Sequence, residues 1–161
     1  MSGHDGSSGG RDISPQQKAE QMASVIAVLE GQLEDVIRNE ESALRARSVA
    51  VSASESVRQI KDGGNGAESA DILVGIGGGV FVPTKVSTSD RLLLEIGSGT
   101  AVEKEPAYVL NYLESRIRNI DIVIKNTGAE RARLAERIAQ YRMQLNQTIQ
   151  SVYGQGQSGH V

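Results

Sequence analysis

The residues of this sequence that could do catalytic or metal-binding chemistry are few and widely separated. The chain contains two histidines, His4 and His160, and no cysteine. Neither histidine has a cysteine, a second histidine or a carboxylate at the spacing of a metal site. The carboxylates are spread over segments with helical patterning and do not converge on one predicted pocket. The sequence therefore predicts no catalytic residue, no metal ion and no cofactor, and it predicts that the protein is not an enzyme.

Two glycine clusters are the remaining candidates, because glycine-rich loops can bind phosphate groups. The cluster around Gly75 lacks the dinucleotide-binding spacing, and strand-like sequence follows it where that motif needs a helix. The cluster at Gly97-Ser98-Gly99-Thr100 lacks the lysine of a P-loop. Turns between strands, which need positive φ, explain these glycines with fewer assumptions. The predicted hairpin-turn residues are Gly77, Gly78, Gly79, Gly97 and Gly99.

Four short apolar segments, separated by these turns, predict two consecutive β-hairpins. The segments are Ile72 to Ile76, Val80 to Val86, Arg91 to Ile96 and Thr100 to Glu103. Some of them are apolar on both faces, and an open sheet of four strands leaves two edges unpaired. We therefore expect the strands to pair with those of other chains. The predicted assembly residues are Ile72, Val74, Val80, Phe81, Val82, Leu92, Leu93, Leu94, Ile96 and Val102.

Two heptad-patterned segments flank the strands and must position them. From Leu110 to Val152 apolar residues recur at alternating spacings of three and four with few exceptions, which is the pattern of a coiled coil. At 1.5 Å per residue this helix would be roughly 70 Å long. The first segment begins at a predicted capping box, Ser14-Pro15-Gln16-Gln17. Its apolar seam is continuous only in the half farther from the strands.

These elements predict an α+β fold: a long antiparallel coiled-coil helical hairpin joined by two central β-hairpins that form an oligomeric β-barrel. The predicted organisation is a Gly/Ser-rich disordered tail over 1–13, helix 1 over 14–61, a flexible loop over 62–70, the two β-hairpins over 71–104, helix 2 over 105–153 and a flexible tail over 154–161.

Composition excludes several other classes of protein. Aromatic residues make up 3% of the chain, fewer than a compact enzyme core of this length usually contains. The net charge of −3 gives no general attraction to nucleic acid, and no apolar run is long enough to cross a membrane. The absence of cysteine fits a reducing compartment. We therefore expect a soluble cytoplasmic protein that binds neither nucleic acid nor membrane.

The strand region together with the helix that follows it resembles a known family. Residues 72–82, Ile-Leu-Val-Gly-Ile-Gly-Gly-Gly-Val-Phe-Val, and 94–104, Leu-Glu-Ile-Gly-Ser-Gly-Thr-Ala-Val-Glu-Lys, are similar to the hairpin region of the prefoldin family, in particular its archaeal α type. With both flanking helices the resemblance covers residues 14–153. Gly75 is a departure, because such sequences often have a proline after the first apolar run.

The resemblance implies a chaperone subunit that acts without ATP. Two α and four β-type subunits would form a hexamer around a double β-barrel, and this chain would be an α subunit because it has two hairpins. Such a complex captures nonnative polypeptides and delivers them to a group II chaperonin. The alternative is a structural coiled-coil adaptor that binds one defined native partner, although such an adaptor would not need two hairpins with apolar faces.

The start of helix 1 and the end of helix 2 meet in an antiparallel pair, and apolar side chains there would be exposed if the ends fray. Exposed apolar surface binds nonnative chains without requiring a particular sequence. Leu29 and Leu145 are expected to remain in the coiled-coil core. The predicted client-binding residues are Ile13, Met22, Val25, Ile26, Ile149, Val152 and Tyr153.

Overall fold

The computed structural model describes residues 13–66 and 68–155, and it contains two long helices that flank two antiparallel β-hairpins. This arrangement confirms the predicted α+β fold class. No helix within these residues is long and apolar enough to span a membrane. The elements are α1 (Pro15–Gly66), β1 (Ser69–Gly77), β2 (Val80–Ser87), β3 (Leu92–Gly97), β4 (Thr100–Lys104) and α2 (Pro106–Gln155).

The first turn of each helix contains residues that favour a helix start. At α1 the backbone N–H of Gln17 donates to Ser14 Oγ at 3.2 Å, and the backbone N–H of Ser14 donates to Gln17 Oε1 at 3.1 Å. This reciprocal pair is the predicted capping box. At α2, Pro106 occupies the first helical position, where its missing N–H has no intrahelical partner to lose. The Val109 N–H closes that turn by donating to the Glu105 carbonyl oxygen at 3.1 Å.

The end of α1 differs from the sequence prediction of a loop over residues 62–70. The helical segment continues to Gly66, and β1 already begins at Ser69. Gly63 is buried and adopts a φ of 62°, and Gly66 adopts a φ of 83°. Left-handed glycines end a regular helix at little conformational cost, so a Gly-rich stretch can form an ordered helix terminus. The sequence pattern does not distinguish such a terminus from a loop.

The four strands form two separate two-stranded sheets, β1 with β2 and β3 with β4. In the first sheet Val74 lies opposite Val82 and Leu73 opposite Pro83. In the second, Leu94 lies opposite Val102. Each register shifts by a bulge just before its turn. The turn glycines Gly77, Gly78, Gly79, Gly97 and Gly99 all have positive φ, between 59° and 119°.

The chain divides into two compact units. One unit comprises the described residues up to Arg38 and from Gly128 onward. In it α1 and α2 pack antiparallel, and the Arg142 guanidinium donates to Glu30 Oε1 at 2.6 Å. The buried core of this unit consists of Ile26, Leu29, Val36, Leu134 and Ile138, with Leu33, Tyr141 and Leu145 packed against it.

The other unit, Asn39–Thr127, contains both hairpins and the helix segments next to them. Two ion pairs join its helices: Arg47 Nε lies 2.6 Å from Asp121 Oδ1, and Arg58 Nη2 lies 3.3 Å from Glu114 Oε1. As the α1 number rises the α2 number falls, so the helices are antiparallel here too. The buried apolar residues of this unit are Ala50, Val57, Ile60, Ala70 and Val109.

Candidate functional site

The strands present apolar side chains that the chain itself does not cover. Leu93 is 72% exposed and Phe81 is 61% exposed. Among the described residues each sheet pairs only within its own hairpin, so its outer backbone edges have no strand partner. Among the predicted assembly residues, Val74, Val80, Phe81, Val82, Leu93 and Ile96 are exposed, and Ile72, Leu92, Leu94 and Val102 are half-buried. None of the ten is fully enclosed by its own chain.

Two exposed strand residues were missed by the sequence prediction. Leu73 is 70% exposed and Ile76 is 66% exposed. Both lie inside the predicted first strand, and their apolar character was a signal that could have found them. Next to them Phe81 is placed over Gly75, where a Cβ would lie 3.5 Å from the Phe81 ring. Glycine at this position thus leaves the space that the cross-strand ring occupies.

The turn between the two hairpins is tied to the start of β1. The Glu68 carbonyl oxygen accepts hydrogen bonds from the Thr88 N–H at 3.0 Å and from Thr88 Oγ1 at 3.3 Å. Within the turn the Ser87 N–H donates to Asp90 Oδ2 at 2.8 Å. A Cβ on Gly63 would lie 3.0 Å from Thr88 Cγ2, so the end of α1 also packs closely on this turn. These contacts hold the turn after β2 against the residues that precede β1 and against the end of α1.

The first helix turns of α1 and the last turns of α2 form a shallow cavity of about 450 Å³, here called the end groove. On its α2 side Tyr153 is 77% exposed and Ile149 is 38% exposed, while Val152 is half-buried. Glu20 is the one charged residue that lines it. The end groove is lined by Gln16, Ala19, Glu20, Ile149, Val152 and Tyr153.

The predicted client-binding residues of α1 do not all lie on the surface. Ile13 is 41% exposed and Val25 is 36% exposed, whereas Met22 is half-buried. Ile26 is only 8% exposed and belongs to the core against α2, so its place in the exposed set is corrected. The reason is its position in the apolar seam, which faces the partner helix wherever the helices stay paired.

A second cavity, of about 390 Å³, lies along the side of the same helix pair and is here called the side groove. It contains Val28, which is 61% exposed and was missed by the sequence prediction because it lies off the seam. Arg137 is the one charged residue that lines it. The side groove is lined by Ser24, Val25, Val28, Leu29, Gln32 and Arg137.

The exposed strands and the helix-end grooves suit different kinds of contact. The strands offer uncovered apolar faces and free backbone edges, which suit pairing with other strands. The helix ends offer shallow apolar grooves, which suit loose binding of apolar segments. In the described part of the chain no three His, Asp or Glu side chains converge as metal ligands. The described residues therefore have the features of a coiled-coil protein with exposed apolar surfaces and contain no feature of a metal site.

Comparison with known proteins identifies the family. The family model for prefoldin subunits matches residues 30–151, and the chain therefore belongs to the prefoldin family of chaperone subunits. A Nitrosopumilus maritimus protein named prefoldin subunit alpha is 37% identical over 88% of this chain and 95% of its own length. A Pyrococcus horikoshii protein of the same name is 28% identical over 77% of this chain and 82% of its own length. The resemblance to the α type found in the hairpins is thus confirmed.

A solved structure supports the fold. A chain from the cryo-EM structure of filamentous PFD from Methanocaldococcus jannaschii aligns with a TM-score of 0.58 and 19% sequence identity. The alignment covers 73% of this chain and 95% of that chain. Two long helices around paired hairpins are therefore common to both proteins.

Proposed function

We propose that this chain is the α subunit of a cytoplasmic hexamer that contains two α and four β-type subunits. The complex captures nonnative polypeptides without ATP and delivers them to a group II chaperonin. The observation that most directly supports capture is the end groove, where Ile149 and Tyr153 expose apolar surface at the end of a helix pair. Family membership supports the chaperone class of this proposal.

The strands support the assembly part of the proposal. Each hairpin has two free edges among the described residues, and each exposes large apolar side chains such as Phe81 and Leu93. Isolated two-stranded hairpins are marginal in water, and free edges attract other strands. Pairing of the hairpins with those of neighbouring subunits into a closed barrel would remove the edges and bury these side chains.

The helix ends support a binding mechanism based on several weak contacts. Ile13, Val25, Ile149, Val152 and Tyr153 present partial apolar surfaces, none of which forms a deep pocket. A shallow apolar groove imposes little sequence selectivity and releases its occupant readily. Six such ends acting on one client would raise the overall avidity without slowing release from any single end.

The test is suppression of aggregation of an unfolded client by the assembled complex in the absence of nucleotide. We expect the double variant Ile149→Ser with Tyr153→Ser to lose much of the suppression, because it removes the two exposed side chains among the three apolar residues of α2 that line the end groove. Met143→Ser is the matched control, since Met143 is 57% exposed on the same helix and lines neither groove. Equal suppression by the double variant and the control would contradict capture at the end groove.

The mass of the complex formed on co-expression with a β-type subunit tests the stoichiometry. We expect one species of six subunits. A ladder of increasing masses would contradict the hexamer and would resemble instead the filamentous form of the M. jannaschii protein.

Transfer of a labelled client from the complex to a purified group II chaperonin tests delivery. Binding of a single native partner, with no suppression of any unfolded client, would favour the adaptor alternative.

A further inference from the structure

The end groove and the side groove lie on opposite flanks of the helix pair. In the side groove, Val25 and Arg137 each precede a core residue, Ile26 and Ile138. In the end groove, Ile149 instead follows a residue of the seam, Thr148. Positions just before and just after a coiled-coil core residue lie on opposite sides of the seam. The two grooves are therefore separate surfaces, and each is lined by a different set of residues.

The two grooves differ in the sign of their one charged residue. Apolar side chains line both, but the side groove has the cation Arg137 and the end groove has the anion Glu20. No salt bridge within the described part of the chain engages either side chain. Each charge is thus available to a bound molecule. An apolar surface beside an available charge favours an apolar segment with the opposite charge.

We propose that the side groove binds apolar client segments that contain an acidic residue, with Arg137 as the residue that selects for the carboxylate. Val25 and Val28 contact the apolar side chains of the segment, and the Arg137 guanidinium pairs with the Asp or Glu beside them. The end groove, with Glu20, has the reverse preference for a basic residue. This inference rests on the proposed capture of nonnative chains and names the class of segment that each groove takes.

The test compares two fluorescent peptides that share one apolar sequence and differ only in flanking Glu or Lys residues. Binding is measured by anisotropy on the full chain in its assembled form, at low ionic strength because salt screens exposed charges. Arg137→Glu is expected to weaken the Glu-flanked peptide by about two- to fivefold, the range for an exposed ion pair. It leaves the Lys-flanked peptide unchanged or slightly tighter. Glu20→Lys is expected to weaken the Lys-flanked peptide instead.

Arg133→Glu is the matched control, because Arg133 is an exposed arginine one turn before Arg137 and lines neither groove. It makes the same change in net charge. If Arg133→Glu and Arg137→Glu change the relative affinity for the two peptides equally, the net charge of the complex and not Arg137 explains the preference, and the proposal is overturned. Unchanged binding of the Glu-flanked peptide by Arg137→Glu would also overturn it. Circular dichroism of each variant establishes that helicity is retained.

The location of the bound peptide is tested independently by labelling. The sequence has no cysteine, so Ser24→Cys places one environment-sensitive dye in the side groove and Gln16→Cys places one in the end groove. The Glu-flanked peptide is expected to change the emission at position 24 more than at position 16, and the Lys-flanked peptide the reverse. If each peptide changes the emission equally at both positions and the complex still suppresses aggregation, the charge preference is overturned and the proposed function is not. If neither peptide binds and suppression is absent as well, the proposed function itself fails.

Discussion

At the scale of single residues, two glycines of α1 have opposite structural roles. Gly63 is buried with a φ of 62°, and a Cβ there would lie 3.0 Å from Thr88 Cγ2. Gly31 is helical and has nothing within 4 Å of a built Cβ. We expect Gly63→Ala to lower the free energy of unfolding by about 1–3 kcal/mol, through strain and close contact.

Gly31→Ala is the matched control and is expected to raise the free energy of unfolding by up to about 1 kcal/mol, since alanine loses less backbone entropy in a helix. Both values are measured by urea unfolding followed by circular dichroism at one fixed subunit concentration, because association shifts apparent stability. A neutral Gly63→Ala would show that the left-handed conformation at this position is not required.

The core residue Leu134 offers a second test at this scale. It is 7% exposed and belongs to the cluster with Ile26, Leu29, Val36 and Ile138. Leu134→Ala is expected to cost about 2–3 kcal/mol, at the low end for buried leucine because the helix pair can partly close the gap. Met143→Ala, at a position 57% exposed, is expected to change stability by less than about 0.5 kcal/mol. Equal melting temperatures for the two variants would be inconsistent with this core.

The core and groove residues also show what sequence alone can predict about the site. The 3-4 spacing correctly places Leu29 in the core and Leu145 against it, and the same spacing explains why Ile26 is buried. It cannot find Val28, because a residue one position before the seam residue Leu29 becomes a groove wall only when the partner helix is in place. The sequence does find the groove residues Val25, Ile149 and Tyr153, but through the expected meeting of the two helix ends and not through the seam pattern.

At the scale of elements, the sequence predicts the strands more accurately than the end of α1. All four predicted strands lie within one or a few residues of their observed bounds, since runs of β-branched and aliphatic residues between glycines have few alternatives. The helix terminus near Gly63 resembles a loop in sequence, because glycine fits both. The sequence predicts the two hairpins but not their separation into two sheets, since turn residues do not determine whether neighbouring hairpins pair with each other.

The strands are tested by placing a charge on an exposed apolar position. Leu93 is 72% exposed on β3, and Val49 is 71% exposed on α1 in the same compact unit. If the strands form the assembly surface, Leu93→Asp buries an unpaired carboxylate between subunits and the assembled mass falls. Val49→Asp is expected to leave the mass unchanged. Both masses are measured by light scattering, and loss of assembly by both variants would contradict a strand-based interface.

At the scale of the whole molecule, assembly and capture are expected to be separable. Deletion of residues 1–21 and 146–161 removes all six lining residues of the end groove and leaves every strand in place. We expect the truncated chain to form a complex with the same number of subunits as the full chain. We expect this complex to lose most of its suppression of client aggregation.

Deletion of residues 1–12 and 156–161 alone is the control for this truncation. It leaves both helices at their observed lengths, Pro15–Gly66 and Pro106–Gln155. We expect it to retain the suppression of the full chain. Full suppression by the longer deletion would show that client binding lies elsewhere on the molecule.

The low burial of side chains in this molecule affects how easily the helix pair opens. No side chain that the structure describes is completely buried, and the core cluster between the helices contains only five buried residues, three from α1 and two from α2. Each layer is stabilised only by the layers beside it, so the helix pair can open locally without global unfolding. Amide hydrogen exchange should therefore be fastest near Pro15 and Gln155 and should slow gradually toward Val36 and Leu134. In a chaperone with this gradient, thermal fluctuation alone would open the helix ends that bind a client. Client release would then not require nucleotide hydrolysis.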